Sequence, residues 1–132
     1  MRFSIVAALA AVLCLGYVAR AEDKKDDASS KDVKVTGVLI DQHCGEEQAK
    51  KDDAQKSAAA HKKGCTLKCG KDGGYAIMSE GKLTNLSADS KDKVEEYLKK
   101  DENKTEATVT GTKAEDGTIT VTSIAAAEEK KS

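Results

Sequence analysis

The chain has 132 residues, with 22 Lys and Arg residues against 23 Asp and Glu residues, four cysteines and two histidines. This length corresponds to one ordinary domain. Both arginines, Arg2 and Arg20, lie near the amino terminus, and aromatic residues make up only 3% of the chain. Because nucleic-acid recognition uses a basic surface, arginine contacts and aromatic stacking, nucleic acid is not an expected partner.

Residues 1–21 have the pattern of a secretory signal peptide. A basic residue, Arg2, precedes an apolar run from Phe3 to Val18, and Ala19-Arg20-Ala21 then matches an A-x-A cleavage site. No later window is apolar enough to span a membrane. We therefore expect a secreted or periplasmic protein that has no membrane contact after signal cleavage.

The remaining chain divides into a linker, one domain and a tail. Residues 22–32 are mostly charged and hold no large apolar side chain, which is typical of a solvated linker. Residues 125–132 are expected to form a disordered tail. The domain is therefore predicted to span 33–124, and we expect it to be a monomer.

The predicted domain has few large apolar side chains, and Tyr75 and Tyr97 are its only large rings. A domain that buries so little apolar surface usually needs a disulfide or a metal ion as an additional cross-link. The cysteines that follow the signal peptide, Cys44, Cys65 and Cys69, are the candidates for that cross-link.

Five strands are predicted from alternating or short apolar runs. Gly37 interrupts the alternation of the first strand, and a glycine at such a break suggests a β-bulge or a sharp bend. Glu80-Gly81 and Asp116-Gly117 are predicted turns between paired strands. The predicted strands are residues 33–40, 75–78, 83–86, 107–111 and 119–121.

Two helices are predicted between these strands. Residues 46–63 consist of good helix formers with acidic and lysine residues at i,i+4 spacing, and Gly64 follows as a termination signal. Residues 87–100 place Val94, Tyr97 and Leu98 on one helix face. The first helix would form an insert directly after strand one.

The order strand, helical insert, strand, strand, helix, strand, strand is that of an OB-fold. We therefore predict a mainly β protein with two helices, built as a small five-stranded OB-fold-like barrel whose helical insert bears the Cys and His residues. A bend at Gly37 fits this fold, because the first strand must serve both sides of the barrel. The alternative architecture is an α+β meander whose sheet does not close.

Four segments carry a resemblance to known proteins: VKVTGVLIDQHCG, CTLKCGKDGGYAIMSEGKLTNL, ATVTGT and GTITVTSI. With these segments the chain resembles a group of small secreted bacterial OB-fold-like proteins of uncharacterised function. The resemblance covers nearly the whole predicted domain. It implies export and this fold, and it implies no activity.

The histidines and cysteines suggest three kinds of site. The first is a structural disulfide, most naturally from Cys44 to Cys65 or Cys69, as expected in an exported chain. The second is a zinc or copper site, because Cys44, His61, Cys65 and Cys69 form the Cys3His set of a closed tetrahedral site, with His43 as a spare group. The third is a thiol redox pair, Cys65 and Cys69, at a helix end.

Enzyme signatures are absent from the sequence. It contains no G-x-S-x-G, P-loop, G-x-G-x-x-G, H-E-x-x-H or C-x-x-C-H motif, and its paired carboxylates lie among lysines on predicted helix surfaces. We therefore expect a binding module rather than an enzyme. Its function is predicted to be metal binding, or alternatively binding of an unknown ligand or protein by a disulfide-braced domain, and the thiol redox function is the least favoured.

Overall fold

The computed structural model describes residues 31–128. The predicted signal peptide, residues 22–30 of the linker and residues 129–132 lie outside this range. The described elements are β1 (Lys31–Asp41), α1 (Gln42–Ala49), α2 (Ala54–Ala59), α3 (Lys63–Gly73), β2 (Tyr75–Ser79), β3 (Lys82–Asn85), a 3-10 turn (Ala88–Ser90), α4 (Lys91–Lys99), β4 (Glu106–Lys113) and β5 (Ile119–Ala126). The sheet thus extends two residues beyond each predicted domain limit.

The five strands form one antiparallel sheet in the order β3-β2-β1-β4-β5. The first strand pairs with β4 up to Val38 and with β2 from Val38 to Asp41. Gly37 lies at this change of partner, where a Cβ atom would overlap the backbone carbonyl of Met78. The glycine is required because β1 and β2 approach too closely for a side chain.

Both predicted hairpins are confirmed. The turn between β2 and β3 is made by Glu80 and Gly81, whose φ angles of 52° and 77° match the two positive values of a type I′ turn. The turn between β4 and β5 contains Gly117, with φ of 88°, and Thr118 N donates to Asp116 Oδ1 at 2.8 Å.

The sheet is not closed into a barrel. Its two edge strands approach each other at one isolated parallel bridge between Leu86 and Ile119, where Ser87 N also donates to Ile119 O at 2.8 Å. The predicted five-stranded antiparallel sheet is therefore confirmed. The prediction of a mainly β protein with two helices is wrong, because four α-helices give about equal helix and strand content.

The single predicted helix over residues 46–63 is replaced by the end of α1 and by α2, and α3 begins where the predicted helix ends. The chain turns after Ala49 so that α2 lies back on the sheet, where Ala54 and Ala58 are buried. They pack against side chains of β1 and β2: Val38, Ile40, Ala76 and Met78. Burial of these small residues outweighs the local preference for one continuous helix.

A second, larger core lies on the opposite face of the sheet. Helix α4 contributes Val94, Tyr97 and Leu98 to it, as the predicted helix face requires. These side chains pack against Leu39, Ile77, Val109, Ile119 and Val121 of the strands. Within residues 31–128, no helix is long and apolar enough to span a membrane.

Candidate functional site

The sheet register brings the beginning of α1 close to the end of α3. Asp41, the last residue of β1, pairs with Tyr75, the first residue of β2. Helix α1 starts directly after Asp41, and α3 ends two residues before Tyr75. Gln42 fastens this junction, because its backbone N donates to Gly74 O at 3.0 Å and its Nε2 donates to Tyr75 O at 3.2 Å.

Asp41 is fully buried at this junction. It is the N-cap of α1, and its Oδ1 accepts a hydrogen bond of 2.9 Å from Cys44 N. Its second oxygen, Oδ2, is buried and accepts no hydrogen bond from the described residues. The N-cap role thus accounts for one of the two carboxylate oxygens.

His61 lies opposite this second oxygen, in the turn between α2 and α3. Its Nε2 is 3.5 Å from Asp41 Oδ2, and it too is buried without a hydrogen-bond partner among the described residues. A separation of 3.5 Å is longer than an ordinary N–H···O hydrogen bond. Two buried polar atoms thus face each other across a gap, and buried polar groups normally have a partner.

Two thiols complete the cluster. One carboxylate oxygen of Asp41 and the Sγ atoms of Cys44 and Cys69 all lie within 4.8 Å of one another. Cys44 is half-buried on α1, whereas Cys69 is exposed on α3. The cluster therefore extends from a buried carboxylate outward to a thiol that solvent reaches.

The electrostatic environment of Cys44 disfavours a negative charge without a counter-ion. Burial raises the pKa of the Cys44 thiol to about 11, with further contributions from its hydrogen bond to Asp41 and from the nearby Asp41, Cys69 and Cys65 charges. The thiol is therefore protonated at neutral pH. The nearby Asp41 carboxylate, which disfavours the thiolate, favours a cation at the same position.

The structure locates all the histidines and cysteines of the predicted site. Cys44 and Cys69 lie together, and His61 lies beside Asp41 in the turn between α2 and α3. Cys65 is exposed on α3, one helical turn before Cys69. His43 is exposed on α1. In residues 31–128 all three cysteines are free thiols, and no disulfide is present.

Sequence reasoning missed Asp41. Its signal was present, because an aspartate that follows a buried strand and precedes a helix by one residue is a typical N-cap. An N-cap aspartate three residues before Cys44 holds the carboxylate and the thiol in the same helical turn. The predicted ligand set considered only His and Cys residues and therefore overlooked the buried carboxylate.

Comparisons with protein-family models, with curated proteins and with solved structures give no match to this chain. The function is therefore argued from the geometry of Asp41, Cys44, His61 and Cys69 alone.

Proposed function

We propose that this protein is a small exported module that binds one divalent metal ion through Asp41, Cys44, His61 and Cys69. The observation that carries the proposal is the fully buried Asp41 carboxylate, whose Oδ2 lacks a hydrogen-bond partner among the described residues. An imidazole and two thiols lie within reach of this carboxylate. Carboxylate, imidazole and thiolate are the three donor types that zinc uses in proteins.

The distances suit a tetrahedral ion. Zinc bonds of about 2.0–2.2 Å to oxygen and nitrogen, and of about 2.3 Å to sulfur, place neighbouring tetrahedral N and O donors about 3.4 Å apart and two sulfurs about 3.8 Å apart. The separation of His61 Nε2 and Asp41 Oδ2 is 3.5 Å, and the Asp41, Cys44 and Cys69 donors lie within 4.8 Å. Shifts of about 1 Å or less in the thiol positions therefore bring the Asp41, Cys44 and Cys69 donors onto one ion, and His61 Nε2 lies at a tetrahedral spacing from Asp41 Oδ2.

The donor set favours zinc over Cu(I). Cu(I) selects sites made of thiolates and thioethers, whereas a carboxylate is a hard ligand that suits divalent ions. Two thiolates and one carboxylate carry three negative charges, which a divalent ion neutralises better than a monovalent one. Asp41 thus takes the place in the ligand set that the sequence-based prediction assigned to Cys65.

Such an ion would act as the cross-link that the small core requires. It would join the start of α1, the end of α3 and the turn before α3 at the ends of two paired strands, β1 and β2. The strand order and the Leu86–Ile119 bridge support placing this site on an OB-fold-like barrel, since closure of this sheet requires β3 and β5 to meet. The insert then corresponds to the loop after the first strand of that fold.

Intact mass measurement tests the proposal on protein purified without chelator. The native protein should carry one zinc ion, and after denaturation all three cysteines that follow the signal peptide should react with an alkylating reagent. A mass lower by two hydrogens, with one alkylated cysteine and no metal, would contradict the proposal and favour the disulfide-braced alternative. The His61→Ala variant separates the two interpretations more sharply. It should abolish metal retention if the site binds metal, whereas it would lower the stability of a disulfide-braced protein only slightly.

A further inference from the structure

Cys65 is the one cysteine of the described residues that the proposed ligand set leaves unused. It is exposed in the first turn of α3, and Cys69 follows four residues later on the same helix. Residues at i and i+4 are neighbours on a helix surface, with Cβ atoms about 5–6 Å apart. The two thiols thus lie side by side, and only Cys69 belongs to the cluster with Asp41.

Exposure decreases from the two thiols of α3 toward the buried carboxylate. Cys65 and Cys69 are exposed, Cys44 is half-buried and Asp41 is fully buried. Asp41 Oδ2, at the inner end of this series, is buried and accepts no hydrogen bond from the described residues, and His61 Nε2 lies 3.5 Å from it. Solvent therefore reaches both thiols of α3, of which Cys69 adjoins Cys44 and the buried carboxylate.

The surface around Cys65 is open and basic. A Cβ atom added at the preceding residue, Gly64, would meet no other described atom within 4 Å. Lys62 and Lys68 are exposed on either side of Cys65 in the sequence. An approaching molecule with a thiolate and a net negative charge would therefore find space beside Cys65 and attraction from the lysines.

We propose that Cys65 is an exchange ligand through which the metal ion passes between this site and a thiol-bearing, anionic carrier. This inference rests on the proposed metal site. In the transfer, Cys65 releases its proton to solvent and its thiolate binds the ion as a carrier thiolate leaves and takes up a proton. The ion then moves to Cys69, Cys44, His61 and Asp41. The Cys69 and Cys44 thiols release their protons to solvent as they bind the ion, Cys65 leaves the ion and takes up a proton again, and no atom changes its oxidation state.

The test compares equilibrium affinity with exchange rate, using glutathione as the thiol carrier. Zinc affinity is measured by competition with a chromophoric chelator, and zinc release to the same chelator is followed with and without glutathione. In Cys65→Ser the affinity should stay within about threefold of the unchanged protein, while the glutathione-dependent release rate falls by about tenfold or more. Cys69→Ser, the matched control on the same helix, should lower the affinity by more than about 100-fold.

Each other outcome decides against the proposal. If Cys65→Ser lowers affinity as strongly as Cys69→Ser, Cys65 is a permanent ligand and not an exchange ligand. If Cys65→Ser changes neither affinity nor rate, the ion exchanges without it. If the unchanged protein retains no zinc, the proposed function itself fails, and that result is obtained before any variant is compared.

Discussion

Replacement of Asp41 by asparagine separates the structural role of this residue from its proposed role as a ligand. Asparagine caps helices about as well as aspartate, so the amide oxygen can still accept the hydrogen bond from Cys44 N. Asparagine also fills nearly the same volume in a site that is fully buried. The substitution therefore removes one negative charge and leaves the local fold in place.

The magnitude follows from the charge that is lost. Two unit charges about 4 Å apart interact by about 4 kcal/mol at an effective dielectric constant of about 20. The amide oxygen of asparagine still attracts the ion and keeps part of this interaction energy, so we expect metal affinity to fall by about 100- to 1,000-fold. Without metal, Asp41→Asn should change the free energy of unfolding by less than about 1 kcal/mol, because asparagine keeps the helix cap.

Two assays are needed on the same preparations. Chelator competition gives zinc affinity, and urea unfolding after exhaustive chelation gives the stability of the metal-free protein. Asp41→Ala is the comparison variant, because it removes the cap as well and should cost about 1 kcal/mol more in the metal-free state. The reasoning is refuted if Asp41→Asn keeps the affinity, or if it destabilises the metal-free protein as much as Asp41→Ala does.

Three further predictions concern individual residues. Burial and Asp41 raise the pKa of Cys44 to about 11, so Cys44 in the metal-free protein should alkylate at pH 8 more slowly than the exposed Cys65 and Cys69. Peptide mass spectrometry gives the three alkylation rates, and equal rates would contradict the burial of the Cys44 thiol. Burial, with Glu95 nearby, raises the pKa of Tyr75 to about 12, above the ordinary value of about 10. The stabilisation that comes from the neutral Tyr75 hydroxyl is thus complete below pH 10 and is lost as the pH rises to 12. In Tyr75→Phe the urea midpoint should therefore fall less between pH 10 and pH 12 than in the unchanged protein, and an unaltered pH profile would contradict this prediction. A Cβ at Gly70 would overlap the Tyr75 ring, so Gly70→Ala should destabilise the protein by about 1–3 kcal/mol. Gly64→Ala, in the first turn of the same helix, should be neutral or stabilising. Thermal unfolding measures both variants, and similar effects would refute the packing of Gly70 against Tyr75.

The strands were predictable because their signals are local. Alternation of apolar and threonine residues around Gly111 and Gly117 gives β4 and β5, and a turn at Glu80-Gly81 gives the hairpin of β2 and β3. The amphipathic face of Val94, Tyr97 and Leu98 likewise predicted α4. In each case the spacing of the apolar residues, together with the turn residues of the hairpins, lies within one short segment.

The helical insert was not predictable in the same way. Residues 46–63 have good helix propensity throughout, and nothing local marks the turn after Ala49 or the start of α3 at Lys63. Those breaks depend on the fit of Ala54 and Ala58 to the outer face of β1 and β2, which is a tertiary effect. The predicted continuous helix over residues 46–63 was therefore wrong, although Cys44 and Cys69 do lie together.

Asp41 illustrates how a site can depend on register. Cys44 and Cys69 are far apart in sequence, and they meet because Asp41 pairs with Tyr75 and sets the end of β1 beside the start of β2. The identity of the paired residues cannot be obtained from composition or spacing. Once that register is known, the buried carboxylate beside two thiols is an immediate consequence.

The measurement that tests the central claim most directly is X-ray absorption spectroscopy of the zinc-loaded protein at the zinc edge. A site made of Asp41, Cys44, His61 and Cys69 predicts two sulfur neighbours at about 2.3 Å and two nitrogen or oxygen neighbours at about 2.0–2.1 Å. Three sulfur neighbours would place Cys65 among the resident ligands in place of Asp41, and a shell of oxygen and nitrogen alone would contradict a thiolate site altogether.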